Sequence, residues 1–139
     1  MVLESTQMLS TAMNLASEGV AKGRDNPGPY KSSHAFHPVS VWVRSTQTNY
    51  QWLLDHYIAL CEEYRQRFNK THKCAQYVKQ LKWGKSLIPV GGLTEFINCT
   101  SFKEERNVYL AYRKYLMYKW KNDKRKPKWT NVRKPSFYL

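Results

Sequence analysis

Residues 50–68, YQWLLDHYIALCEEYRQRF, contain the clearest structural signal in the chain. Apolar and aromatic side chains recur there at helical spacing, and charged or amide side chains occupy the positions between them. The apolar set is Tyr50, Leu53, Leu54, Tyr57, Ile58, Cys61, Tyr64 and Phe68. This spacing predicts an amphipathic helix with one face packed on a core. Thr46 or Thr48 precedes the stretch and is the candidate N-terminal cap.

Other stretches show the same spacing, at residues 2–17, 71–82 and 103–120, and each is predicted to be a helix. Residues 37–44 are ambiguous, because their β-branched side chains favour a strand while Pro38 suits the first turn of a helix. A short helix is the favoured interpretation of this segment.

Stretches rich in Gly and Pro, at residues 23–29 and 89–92, predict loops between these helices. A chain of 139 residues is long enough for one packed core and too short for two. We therefore expect an all-α fold, a compact single-domain bundle of about four to five helices with long loops.

Positive charge is concentrated at the C-terminal end. The chain has a net charge of +13, and ten of its 23 Lys and Arg residues lie from Arg113 onward, where Asp123 is the one acid. Aromatic residues are interleaved with these cations. We therefore expect a helical domain over residues 1–120 and a basic aromatic tail over residues 121–139, packed on that domain or extending from it.

The tail predicts contact with nucleic acid. Cations neutralise phosphates and release counterions, and flat rings stack on bases, so the combination suits nucleic acid better than either part alone. The candidate contacts are Lys124, Arg125, Lys126, Lys128, Trp129, Arg133, Lys134 and Tyr138. The alternative is that Trp129, Phe137 and Tyr138 pin the tail to the core while the charges face water.

The Cys and His residues do not predict a metal or a cofactor. Cys61, Cys74 and Cys99 form no CxxC pair, and their odd number fits reduced thiols in a cytosolic protein. Each is expected in or near an apolar helical face, with Cys61 in the core. The histidines, which lack Cys or Asp at ligand spacing, are candidates for lining a site or for packing; they are His34, His37 and His56.

No apolar stretch approaches the ~20 residues that span a bilayer, and no signal-peptide pattern opens the chain. We therefore expect a cytoplasmic monomer without a membrane partner.

Glu4 is the single charged residue of the first predicted helix. It is expected to face an interior or a cleft, where a carboxyl group can have a raised pKa and act as acid or base. The alternative is placement in the first turn, where negative charge favours a helix N-terminus. Composition alone favours that alternative.

Several stretches of the chain, considered together, resemble a known family. They are residues 2–12 (VLESTQMLSTA), 34–38 (HAFHP), 41–44 (VWVR), 49–53 (NYQWL), 61–64 (CEEY) and 70–72 (KTH), with the ending from 127–129 (PKW) to 137–138 (FY). This set resembles phage and bacterial proteins grouped with the pyrimidine-dimer DNA glycosylases, the UV-endonuclease family. The resemblance implies a compact helical protein that bends duplex DNA and displaces a nucleotide from the stack.

The resemblance also implies DNA-repair chemistry on damaged or modified pyrimidines. In that family the amine of the first residue forms a Schiff base at the sugar, the glycosidic bond breaks, and β-elimination cleaves the strand. By this likeness Glu4 transfers protons, the amine of Met1 is the nucleophile, and Arg44 lies near phosphate. Removal of Met1 would leave the amine on Val2.

A longer segment precedes the glutamate in members of that family than in this sequence. The second hypothesis is therefore a catalytically inactive phage factor, acting in the host cytoplasm. It would bind nucleic acid or a host protein and block or redirect host machinery.

Overall fold

The structure, a computed structural model, describes residues 1–17 and 26–138. These residues form α1 (Val2–Ser17), α2 (Pro38–Ser45), α3 (Gln47–Phe68), α4 (Val78–Gly84) and α5 (Val108–Asn122), with 3-10 helices at Lys73–Tyr77 and Lys85–Leu87. The predicted all-α bundle with long loops is thus confirmed. Of the predicted loop at residues 23–29, positions 23–25 lie outside the described residues.

The core lies where α3 packs against α1 and α2. Its largest fully buried side chains include Leu9, Met13, Val43, Tyr50, Leu54, Tyr57 and Leu81. The hydroxyl of Tyr50 donates to the carbonyl of Leu81 at 2.7 Å, and that of Tyr57 donates to the carbonyl of Cys74 at 2.5 Å. Burial raises the pKa of both phenols, so their hydroxyls remain donors. Each ring therefore buries its apolar body and ties α3 to residues 73–84.

The N-terminal end of α3 joins three segments. The Thr46 hydroxyl accepts the backbone N–H of Asn49 at 3.1 Å, which selects Thr46 as the cap. The fully buried Asn49 side chain donates to the Trp42 carbonyl and to the Thr94 hydroxyl, and accepts the backbone N–H of Thr94. One amide thus links α2, α3 and the extended segment before α5.

The ambiguous segment at residues 37–44 is helical, as favoured. Pro38 occupies the first turn of α2, where its missing N–H is not needed, and His37 Nδ1 accepts the backbone N–H of Val39 at 3.2 Å. Upstream, residues 26–37 run along α1, where Ser10 and Asn14 donate to the Tyr30 carbonyl. Three buried polar side chains of α1, Ser10, Thr11 and Asn14, are therefore satisfied by this loop.

Two predicted helices differ from the structure in extent. The helix expected at residues 71–82 is a 3-10 turn followed by α4. The helix expected from residue 103 begins at Val108, because Asn107 accepts the backbone N–H of Leu110 and caps α5 there.

Cys99 is exposed in the extended segment before α5, so its expected place near an apolar helical face was wrong. Cys74 is buried and Cys61 half-buried.

Helix α5 is attached mainly through aromatic contacts. The Phe96 ring lies 5.3 Å from Trp42, 5.1 Å from Trp52 and 5.5 Å from Tyr109, between centroids. Ala111 is the one fully buried residue of α5. Phe96 therefore connects α5 to α2 and α3.

None of the helices within residues 1–17 and 26–138 has the length and apolarity needed to cross a membrane.

Substitution of Gly84 by Ala should destabilise the fold. A Cβ atom there would lie 2.5 Å from Met13 Sδ and 2.6 Å from Tyr50 Oη, both fully buried. We expect Gly84→Ala to lower the free energy of unfolding by about 1–3 kcal/mol, despite the higher helix propensity of Ala. Gly92→Ala is the control, since open space surrounds Gly92. Equal chemical-denaturation curves for the two variants would contradict the packing at Gly84.

Candidate nucleic-acid interface

Residues 123–138 fold back on α5 through four packed rings, Trp120, Trp129, Phe137 and Tyr138, which we call the tail aromatic cluster. Trp120 lies at its centre, with its ring centroid 5.3 Å from Trp129, 6.1 Å from Phe137 and 5.4 Å from Tyr138. The Trp129 N–H is buried and has no acceptor among the described residues. The rings therefore fix the path of the tail, which matches the alternative that they pin it in place.

Arg67, in the last turn of α3, fastens the tail to the helical core. Its guanidinium carbon lies 5.1 Å from the Trp129 ring centroid, and its Nη1 donates to the Lys128 carbonyl at 3.2 Å. Glu63, one turn earlier, holds the same guanidinium through Nε and Nη2. A cation fixed over an indole face is attracted by the ring quadrupole. The tail is thus held at α3 as well as at α5.

The cations of the tail are solvent-exposed, although Lys126 Nζ also donates to the carbonyls of Trp120 and Lys121, and Lys134 Nζ lies 4.7 Å from the Tyr138 ring centroid. The exposed side chains are Lys124, Arg125, Lys126, Lys128, Arg133 and Lys134. Of the ten basic residues from Arg113 onward, Lys114 and Lys119 alone pair with a carboxylate within the described part of the chain. The anchored tail therefore presents a largely uncompensated positive surface.

A cleft of about 720 Å³ lies between the end of α3 and the tail. We call it the tail cleft, and it is lined by Arg67, Phe68, Arg125, Lys126, Pro127, Lys128 and Thr130. The Phe68 side chain is 55% exposed in this cationic setting, with its ring edge near Tyr64. Cations beside an open ring can hold phosphates while a base stacks on the ring.

Arg67 and Phe68 were not among the predicted contacts. Phe68 belongs to the apolar set of residues 50–68, and Arg67 is one of the charged residues between the members of that set. Both residues lie in the last turn of α3, where another segment of the chain can pack against the end of the helix. Which segment does so depends on the path of the tail, which places Lys128 there. A second cleft, about 520 Å³, lies against α5 and is lined in part by Trp120, Lys126 and Tyr138.

The candidate catalytic pair lies at the start of α1. The Met1 amine is 2.5 Å from Glu4 Oε2, with the two side chains 77% and 66% exposed. The hydrogen bond from that amine is the main cause of the lowered pKa of the Glu4 carboxyl, which a backbone hydrogen bond lowers further. The expectation that Glu4 faces an interior or a cleft is wrong, because Val2 and Ser5 occupy the buried side of this turn.

Arg44 and two of the histidines lie together at the turn before α2. Arg44 donates to the Ala35 carbonyl at 2.5 Å, and His37 donates its backbone N–H to the carbonyl of His34 at 3.0 Å. His34 has a left-handed φ of 48°. These contacts brace the turn.

His56 lies elsewhere, on α3. Its ring stacks on Trp52 with centroids 5.6 Å apart, and burial lowers its pKa, so the neutral form is favoured. No three His, Cys, Asp or Glu side chains converge as a metal site within residues 1–17 and 26–138.

The predicted site residues thus form three groups, around the tail, the start of α1 and the turn before α2, with His56 separate on α3. No hydrogen bond or ion pair within the described residues joins one group to another. Comparisons with protein-family models, curated proteins and solved structures found no match to this chain.

Arg67→Ala should loosen the tail without unfolding the helices. The variant loses the cation over Trp129 and the hydrogen bond to the Lys128 carbonyl. We expect faster amide hydrogen exchange over residues 125–138, by a few-fold, from a contact worth about 0.5–1 kcal/mol. Arg65→Ala is the matched control, because Arg65 pairs with Glu62 instead. The same exchange rates in the two variants would show that Arg67 does not hold the tail.

Proposed function

We propose that the protein binds DNA through the tail cleft and the basic residues around it. The observation that carries this proposal is the exposed Phe68 ring beside Arg125 and Lys128, in a cleft without an acidic lining residue. Phosphates would lie on the cations, and a deoxyribose of the duplex backbone would lie against the ring.

Because the tail is anchored, it favours contacts at defined positions on DNA over the non-specific attraction expected of a mobile basic tail. Since Trp129 and Arg67 already hold the tail, its backbone need not be ordered on binding, and less conformational entropy is lost. Double-stranded DNA is the proposed partner because the chain resembles the pyrimidine-dimer glycosylases. The aromatic cluster then acts chiefly as the support that presents the cations.

Removing two cations of the tail cleft should weaken DNA binding and its salt dependence. We expect Arg125→Ala/Lys128→Ala to reduce affinity for a DNA duplex about tenfold and to flatten the slope of log K against log salt by about 2. Lys31→Ala/Lys103→Ala removes the same charge from exposed positions elsewhere and is the control. Fluorescence anisotropy over a salt series measures both quantities. Equal losses in the two variants, or no binding by the unaltered protein, would contradict the proposal.

A second candidate function is cleavage of the glycosidic bond of damaged or modified pyrimidines, with abasic-site lyase activity. The contact between the Met1 amine and the Glu4 carboxylate favours it, in the chain as it begins here. Glu4 would accept a proton from the ammonium group, and the freed amine would attack C1′ of the sugar. The base would leave with its bonding electrons and the proton that Glu4 had accepted. The C1′–O4′ bond would then open as the nitrogen forms the imine and O4′ takes up a proton from that nitrogen, and the imine would permit β-elimination.

Borohydride trapping tests this chemistry. An imine on abasic-site DNA would be reduced to a stable amine, which a denaturing gel detects as a covalent adduct. We expect Glu4→Gln to slow adduct formation about a hundredfold and N-terminal acetylation to abolish it. Glu95→Gln, at an exposed carboxylate elsewhere, should leave the rate unchanged. DNA binding without any adduct would instead match a non-catalytic factor.

A further inference from the structure

Helix α4 exposes a large aromatic side chain in a basic setting. Trp83 is 56% exposed and lies one turn after Lys79, so these two side chains are neighbours on the helix surface, with the exposed Lys82 on the far side of Lys79. Leu81 and Gly84 are buried on the other side of the helix. The ring therefore faces solvent beside Lys79.

The position of Trp83 is set by the core. Gly84 packs against Met13 and Tyr50, and the Tyr50 hydroxyl binds the Leu81 carbonyl, so α4 cannot easily turn to bury the indole. Trp83 makes no ring contact with another aromatic residue in the described part of the chain. A large exposed ring held rigidly in this way is available to a ligand.

The charge around α4 favours a polyanion. Between Glu63 and Glu95 the sequence contains no acidic residue and five lysines after the end of α3: Lys70, Lys73, Lys79, Lys82 and Lys85. None of these lysines pairs with a carboxylate within residues 1–17 and 26–138. Lys70 and Lys73 lie in the connection, residues 69–77, from Phe68, which lines the tail cleft, to α4. Because α4 packs against Tyr50, near the other end of α3, the two surfaces are separated by about 27 Å along that helix, a distance that a single strand of several nucleotides spans.

We infer that the exposed face of α4 binds single-stranded DNA that continues from the segment held in the tail cleft. An unpaired base stacks on Trp83, and Lys79 and Lys82 neutralise the flanking phosphates. A duplex cannot supply this contact without distortion, since its bases are already stacked and paired. The inference rests on the proposed DNA binding. It adds that the exposed face of α4 selects single-stranded DNA.

The experiment compares a blunt duplex with the same duplex carrying a single-stranded extension. For the unaltered protein we expect the extension to raise affinity about tenfold, which is the gain from one stacked base. Trp83→Phe should keep most of that gain because the ring remains, whereas Trp83→Ala should lose it. Affinity for the blunt duplex should be the same in both variants, which also shows that they are folded.

Charge is tested separately. Lys79→Ala/Lys82→Ala should reduce the gain from the extension and flatten its salt dependence, whereas Lys31→Ala/Lys103→Ala should not. If the blunt duplex binds but the extension adds nothing, or adds the same amount in Trp83→Ala, the inference is overturned and the proposed function stands. If neither DNA binds, both are overturned.

Discussion

The packing of α3 against α1 is the contact on which the rest of the structure depends. Tyr50, Leu54 and Tyr57 are fully buried there, and the two tyrosine hydroxyls reach backbone carbonyls of the region that includes α4. One face of a single long helix therefore supplies both the apolar core and the hydrogen bonds that place the next helix. The opposite face of α3 stays free for ion pairs such as Arg67 with Glu63.

The two ends of α3 bind different segments of the chain. At its start, Asn49 links α2 to the segment around Thr94 through three hydrogen bonds of one buried amide. At its end, Arg67 holds the tail by the Trp129 ring and the Lys128 carbonyl. The proposed DNA-binding surface is thus an extension of the same helix that organises the core, which keeps its cations in defined positions.

The aromatic residues divide between support and contact. The four rings of the tail aromatic cluster pack mainly against one another, so they support the tail and leave the contact with a polyanion to its cations. Phe68 and Trp83 are more than half exposed beside cations and are better suited to direct contact with DNA. At the other end of the chain, Glu4 is solvent-exposed beside the Met1 amine, and the pair has the groups that imine chemistry requires.

The sequence by itself determined where most of the helices lie, because the apolar spacing of residues 50–68 and the cap at Thr46 are local features of the chain. It also determined where the positive charge lies. The start of α5 follows a local cap, Asn107, which apolar spacing does not reveal. Only the tertiary structure decided the exposure of Glu4 and the tail cleft. Glu4 shares its turn with buried neighbours whose partners lie on other helices. Arg67 and Lys128 meet only because Trp129 packs under the guanidinium, and a contact between residues so far apart in the chain leaves no periodic trace in the sequence.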